Sequence, residues 1–280
     1  MLLRIALILV AGLSAAQNTT KPDFEHRSVR TENGQLHVAE IGSGRPAVIF
    51  VPSLAGTWEQ FADAASVVAK THRAVIIEPR GHGESDAPRD GDYSIEGYAS
   101  DIAAVAGARQ VEDSILVGHS LGAGIALAYA AAHPKSVRAL FLVVPMGDSS
   151  KTPGAAAPFI AALEKDYERT IGDYWRVILK GANDVVTAKV IAAMLKTPRT
   201  TVIQSIKASG RFEAVKRAGE FGGPIVSVIS EINNSPTALH VLLPAIQVHR
   251  LQGVSHWLQL DRPEEFNSLL RATLERYAGR

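Results

Sequence analysis

The stretch SILVGHSLGAGIALAYAAAHP, residues 114–134, changes character twice. It opens as a short apolar run closed by Gly118, which fits a strand covered on both faces. It ends as an alanine-rich run, which fits a helix. Ser120 stands at the junction, between Gly118 and Gly122, in the pattern G-x-S-x-G. A strand that turns directly into a helix needs so sharp a bend that neighbouring side chains would collide, hence the glycines. The bend lifts the serine hydroxyl clear of the sheet at the helix N-terminus, the positive end of its dipole, where developing negative charge is favoured. Ser120 is therefore the candidate nucleophile, and the N–H of Leu121 a candidate donor to the oxyanion that its attack creates.

Outward from this junction, similar apolar runs recur: PAVIFVP (46–52), RAVIIEP (73–79), VRALFLVVP (137–145), PIVSVIS (224–230) and IQVHRL (246–251). Most lack polar alternation, and helical patterns such as WEQFADAASVVAK separate several of them. This predicts an α/β fold with a mostly parallel central sheet and helices on both faces. Before the first run, HRSVRTENGQLHVAEIGSG (26–44) alternates on either side of Asn33-Gly34, which predicts an antiparallel edge hairpin turning at that dipeptide. Between residues 146 and 223 the strand rhythm stops and helical patterns take over. A structureless loop of that length is rare in a compact domain, so an inserted helical cap is expected there, with the core formed by residues 17–145 and 224–280.

The chain has 280 residues, is 46% hydrophobic and contains no cysteine, as expected for one large domain that does not depend on disulfides. Arg4, the apolar run 5–13 and Ser14-Ala15-Ala16 read as a signal peptide, residues 1–16, with cleavage after Ala16. The run is too short to span a bilayer, so an exported, periplasmic or extracellular protein without stable membrane association is expected. Lys and Arg number 29 against 28 Asp and Glu, a balance that gives no broad attraction to nucleic acid. A small-molecule substrate is the expected partner.

Three segments resemble the α/β-hydrolase superfamily, in particular its capped, esterase-like branch: GHSLGAGIALAYAAAHP, EPRGHGESDAP (78–88) and LQGVSHWLQLDRPEEFNSLL (251–270). The resemblance runs from about Val29 to the C-terminus. It implies an α/β-hydrolase fold, no cofactor, and His256 as the general base that takes the proton from Ser120. An imidazole suits that role because it both accepts and returns a proton near neutrality. Of the other eight histidines, His82 and His119 are expected to lie near the site, and the rest to pack or face solvent.

Two supporting parts depart from the family pattern. Where the resemblance implies an aspartate after PIVSVIS, to orient His256 and stabilise its charged form, the chain has Asn233. Glu231 in the same loop, Asp148 beyond ALFLVVP, or Asn233 itself compete for that place, with Glu231 put first because it lies in the expected loop. Where the family has His-Gly after AVIFV, the chain reads Pro52-Ser53-Leu54. The backbone N–H of Leu54 is the second expected oxyanion donor, and Ser53 a further hydroxyl.

These readings predict an exported serine hydrolase that cleaves a small carboxylic ester or related acyl substrate, with Phe159, Tyr167, Tyr174 and Trp175 as candidate linings from the cap. Carbon–carbon hydrolysis and lactone opening would use similar parts. Epoxide opening and haloalkane dehalogenation are disfavoured, because the resembling enzymes use aspartate where this chain has Ser120. Zinc and nucleotide chemistry lack their ligand spacing and phosphate loop. The reading from another class is a non-catalytic small-ligand-binding protein, motivated by Asn233 and Pro52-Ser53.

Overall fold

In the computed structural model, residues 23–231 and 233–279 are described, so the expected signal peptide lies outside the described residues. The strands are β1 (Glu25–Thr31), β2 (Gly34–Ile41), β3 (Ala47–Val51), β4 (Ala74–Ile77), β5 (Ser114–His119), β6 (Val137–Val143), β7 (Ile225–Ile229) and β8 (Gln247–Arg250). They form one sheet in the order β1-β2-β4-β3-β5-β6-β7-β8. β1 and β2 run antiparallel to their neighbours, and all pairings from β4 through β8 are parallel. Every residue of β3, β4, β5 and β7 is buried, which is why these segments read as continuous apolar runs.

The helices are α1 (Ala62–Val68), α2 (Ile95–Ala108), α3 (Leu121–Ala132), α4 (Ala157–Lys165), α5 (Tyr167–Ile178), α6 (Asp184–Lys196), α7 (Arg199–Ser209), α8 (Ala214–Phe221), α9 (Leu239–Leu242), α10 (Leu258–Asp261) and α11 (Pro263–Tyr277). On one face of the sheet, Ile102 of α2, Ile125 of α3 and Phe221 of α8 pack against Val38, Ile49 and Leu116. On the other, Val68 of α1 and Phe266 and Leu270 of α11 pack against Phe50, Val117 and Phe141. A third core, with Leu163, Ile171, Trp175, Val190 and Val202, belongs to α4–α7. The helical insertion therefore has two parts: α4–α7 have a core of their own, while α8 returns to the sheet beside α3.

The first hairpin turns one residue earlier than the sequence predicts. Thr31 pairs with Gly34, so Glu32 and Asn33 form the turn and Gly34 opens β2. Two features set this register. The Thr31 hydroxyl accepts the Asn33 N–H at 3.2 Å and donates to Gly34 O at 2.9 Å. Gly34 has φ 138°, and a Cβ there would lie 2.8 Å from that of Asp86. Its glycine is required by the neighbouring loop, not by the turn.

Candidate active site

The change from strand to helix happens at a single residue. Ser120 has φ 53° and ψ −111°, a region that L side chains occupy only at a cost. Its N–H donates to Val143 O at 2.9 Å and its O accepts from Ala123 N–H at 3.0 Å, which locks the bend between β6 and the first turn of α3. The glycines are there because backbone fills the space their side chains would need. A Cβ on Gly118 would lie 2.4 Å from Gly122 O, and one on Gly122 would lie 2.1 Å from Val51 O. The start of α3 is thus pressed against the end of β3, and that contact brings the Pro52–Gly56 loop beside Ser120.

Ser120, Leu121, Leu54 and His256 line one cavity of about 330 Å³, roofed by Trp175 and Ile178 from α5. Leu121 opens α3, so its N–H belongs to the first turn, where amides have no partner within the helix. The Pro52–Gly56 loop is held by Gln60. The Gln60 side-chain oxygen accepts the Ser53 N–H at 3.1 Å, and its nitrogen donates to the Ser53 hydroxyl at 3.1 Å. Ser53 is therefore a clamp point of the loop and not a spare donor. Ala55, at φ 56°, takes the left-handed conformation that completes the turn.

His256 lies between β8 and α10, held by its main chain. Its N–H donates to Ile178 O, at the last residue of α5, at 3.0 Å. Its O accepts from His119 Nε2 at 2.9 Å. Gln259 Nε2 donates to His119 Nδ1 at 3.2 Å, so the His119 proton is on Nε2, pointing at the carbonyl. Complete burial pushes His119 well below the usual imidazole range, which keeps it neutral in this role. Beside it, Trp257 packs edge-on to His256 at 5.2 Å and stacks on Trp175 at 5.0 Å. Trp257 and Ala55 belong to the same apolar core as α4–α7. The cap thus shares its core with the loops that carry His256 and Leu54.

Among known families, the model of one described as alpha/beta hydrolase fold matches residues 46–173. The N-acyl homoserine lactone degrading enzyme Est816 superposes with a TM-score of 0.78 at 24% identity, over 88% of this chain and 99% of that one. The chain has the α/β-hydrolase fold. Two curated relatives match over about half of the chain. One is 2-hydroxymuconate semialdehyde hydrolase of Pseudomonas sp. (strain CF600), 34% identical over 139 residues, 49% of this chain and 48% of that protein. The other is 2-(acetamidomethylene)succinate hydrolase of Mesorhizobium japonicum, 31% identical over 131 residues, 47% of this chain and 46% of that protein. The chain spans less than half the length of the curated relatives it matches.

Within this fold the structure brings Ser120, His256, Leu121 and Leu54 together, but it does not bring a carboxylate to His256. No hydrogen bond or ion pair reaches the His256 ring among the described residues. Burial pushes the ring down to about 4, and no carboxylate counters this. Glu231 is exposed just beyond β7, and its carbonyl accepts from Asn234. The Asn233 side-chain oxygen accepts from Ser230 N at 3.2 Å. Asp148 is 1% exposed and fully engaged elsewhere. One oxygen accepts from the N–H and hydroxyl of Ser150, the other from Val215 N–H at 2.8 Å. Burial raises this carboxyl, but those hydrogen bonds outweigh it and hold it below the usual range. Asp148 therefore fastens the start of α8.

Of the expected cap aromatics, Phe159, Tyr174 and Trp175 line the cavity, whereas Tyr167 packs against the cap core and under the Arg199 guanidinium at 5.1 Å. His82 is buried, its Nδ1 bonded to Arg80 O at 3.0 Å, and is not among the residues that line the cavity. Glu78, which opens the EPRGHGESDAP segment, accepts from Trp58 N–H at 2.9 Å and Glu84 N–H at 2.7 Å. It ties that loop to the start of the Trp58 turn. Sequence reasoning missed Gln259, Gln60 and Ile178. Gln259 and Ile178 act through contacts between segments far apart in the chain, the Ile178 contact through a carbonyl that every residue has, whereas Gln60 folds back onto Ser53 seven residues earlier.

Proposed function

We propose that this chain is a serine hydrolase that cleaves a small carboxylic ester or related acyl substrate. Ser120 Oγ attacks the acyl carbon and its proton passes to His256. The tetrahedral oxyanion is held by the N–H groups of Leu121 and Leu54. Its collapse breaks the bond to the alcohol, which leaves with the proton from His256. Water, deprotonated by His256, then cleaves the acyl-enzyme and restores Ser120. One observation carries the reading: Ser120, strained at φ 53°, ψ −111°, lines the same cavity as His256, Leu121 and Leu54. The hydrolase names of the relatives support it. In this proposal His256 is held by its main chain, between His119 and Ile178, and works without a contacting carboxylate. The leader-like residues 1–16 extend the proposal to export, with a mature chain that begins at Gln17.

The test is labelling of the purified protein with a fluorophosphonate, read by intact mass and peptide mapping, with Ser120→Ala as control. Stoichiometric label on Ser120, together with ester turnover that Ser120→Ala abolishes, is the expected result. The same experiment decides the second reading, a ligand-binding protein, which the absence of a carboxylate beside His256 favours. Saturable ligand binding with no label on folded protein would establish that reading instead.

A further inference from the structure

We propose that the cavity selects acyl substrates whose bound portion is uncharged and discriminates against those that carry a carboxylate. This rests on the proposed function and deepens it. Among the described residues that line the cavity there is no lysine, arginine, aspartate or glutamate. One wall is apolar, built by Met146, Phe159, Trp175, Ile178 and Ile206. The hydroxyls of Ser149 and Ser209, which also line the cavity, are already donating, to Ser209 O at 2.7 Å and to Ser205 O at 2.8 Å. Their protons are thus committed and are not offered to a carboxylate oxygen. The remaining hydroxyls, of Ser53, Ser120, Thr152 at the rim, Tyr174 and Thr237, are neutral.

No cation is among the described residues that line the cavity. Lys207 and Arg211 face a separate depression, beside the start of α2, and Lys151 is exposed. His256 is free base at neutral pH, as its burial dictates. A carboxylate drawn into this space loses its water and meets no opposite charge, whereas an alkyl chain of the same length gains from the aromatic wall. The discrimination expected from that asymmetry is on the order of 100-fold.

The experiment compares p-nitrophenyl hexanoate with the mono-p-nitrophenyl ester of adipic acid, which differ only in the terminal carboxylate. Values of kcat/KM at pH 7.5 are corrected for the hydroxide-catalysed rate of each ester. Affinities of both esters for Ser120→Ala are measured by calorimetry. The expected result is about 100-fold preference for the hexanoate in kcat/KM, mirrored in Kd, with Thr152→Arg narrowing the ratio at least tenfold. A preference below tenfold, or failure of Ser120→Ala to bind either ester, overturns the inference. If the hexanoate binds selectively but neither ester is turned over, the hydrolase reading fails while the charge selection stands.

Discussion

Replacing Ser120 by glycine, with alanine as reference, tests the strained elbow directly. At φ 53° and ψ −111° the residue occupies backbone space that costs a side-chain-bearing residue about 1–3 kcal/mol and glycine almost nothing. Glycine gives back about 0.4–1 kcal/mol through the extra freedom of its unfolded chain. Ser120→Gly should therefore be more stable than Ser120→Ala by about 0.5–2 kcal/mol. Other contributions largely cancel: the serine hydroxyl has no hydrogen-bond partner among the described residues, and both variants lose it. Urea unfolding followed by the fluorescence of Trp58, Trp175 and Trp257 measures the difference, provided the two variants share one m value. In a thermal scan the same gap is about 2–4 °C per kcal/mol for a chain approaching this size. Both variants should be inactive. If Ser120→Gly is no more stable than Ser120→Ala, the bend is not strained and the structural basis for an activated serine falls.

The pH dependence of fluorophosphonate labelling reads the state of His256. Because burial pushes it down to about 4 and the base acts only when unprotonated, the rate should rise with pH through about 4 and stay level from pH 5 to 8. An acid limb near 6.5 would place a carboxylate against the ring. Glu231→Gln should leave kcat within about twofold of the parent, since the side chain is exposed and away from His256; a fall of orders of magnitude would put Glu231 back in the site. Asp148→Asn should lower stability by about 1–2 kcal/mol, through weaker acceptance from Ser150 and Val215, without moving the acid limb of that profile. Gly122→Ala, whose Cβ would sit 2.1 Å from Val51 O, should cost about 3 kcal/mol or more, or prevent folding. A urea midpoint equal to that of the parent would show that α3 can shift away from β3.

The sequence by itself determined the parallel sheet, the helical insertion and the elbow. Their signals are local: apolar runs long enough for one buried strand, helical periodicity between 146 and 223, and glycines on either side of Ser120. The hairpin shows where local reading stops. Asn33-Gly34 is a good turn dipeptide, yet the turn sits at Glu32-Asn33, because Thr31 clamps it and Asp86 occupies the space beside Gly34. The division of the insertion also came only from packing, since the apolar residues of α8 face the sheet core and those of α4–α7 face one another. The support of His256 was the least legible part. The sequence offered Glu231, Asp148 and Asn233 by their order along strands, but whether a carboxylate reaches a ring depends on where loops from different strand ends meet in space. In this protein that meeting gives His256 a carbonyl from α5, an imidazole from the elbow and an edge-on tryptophan, with Asp148 spent on the start of α8. Chain order records which groups are available, and only tertiary contact decides which of them face one another.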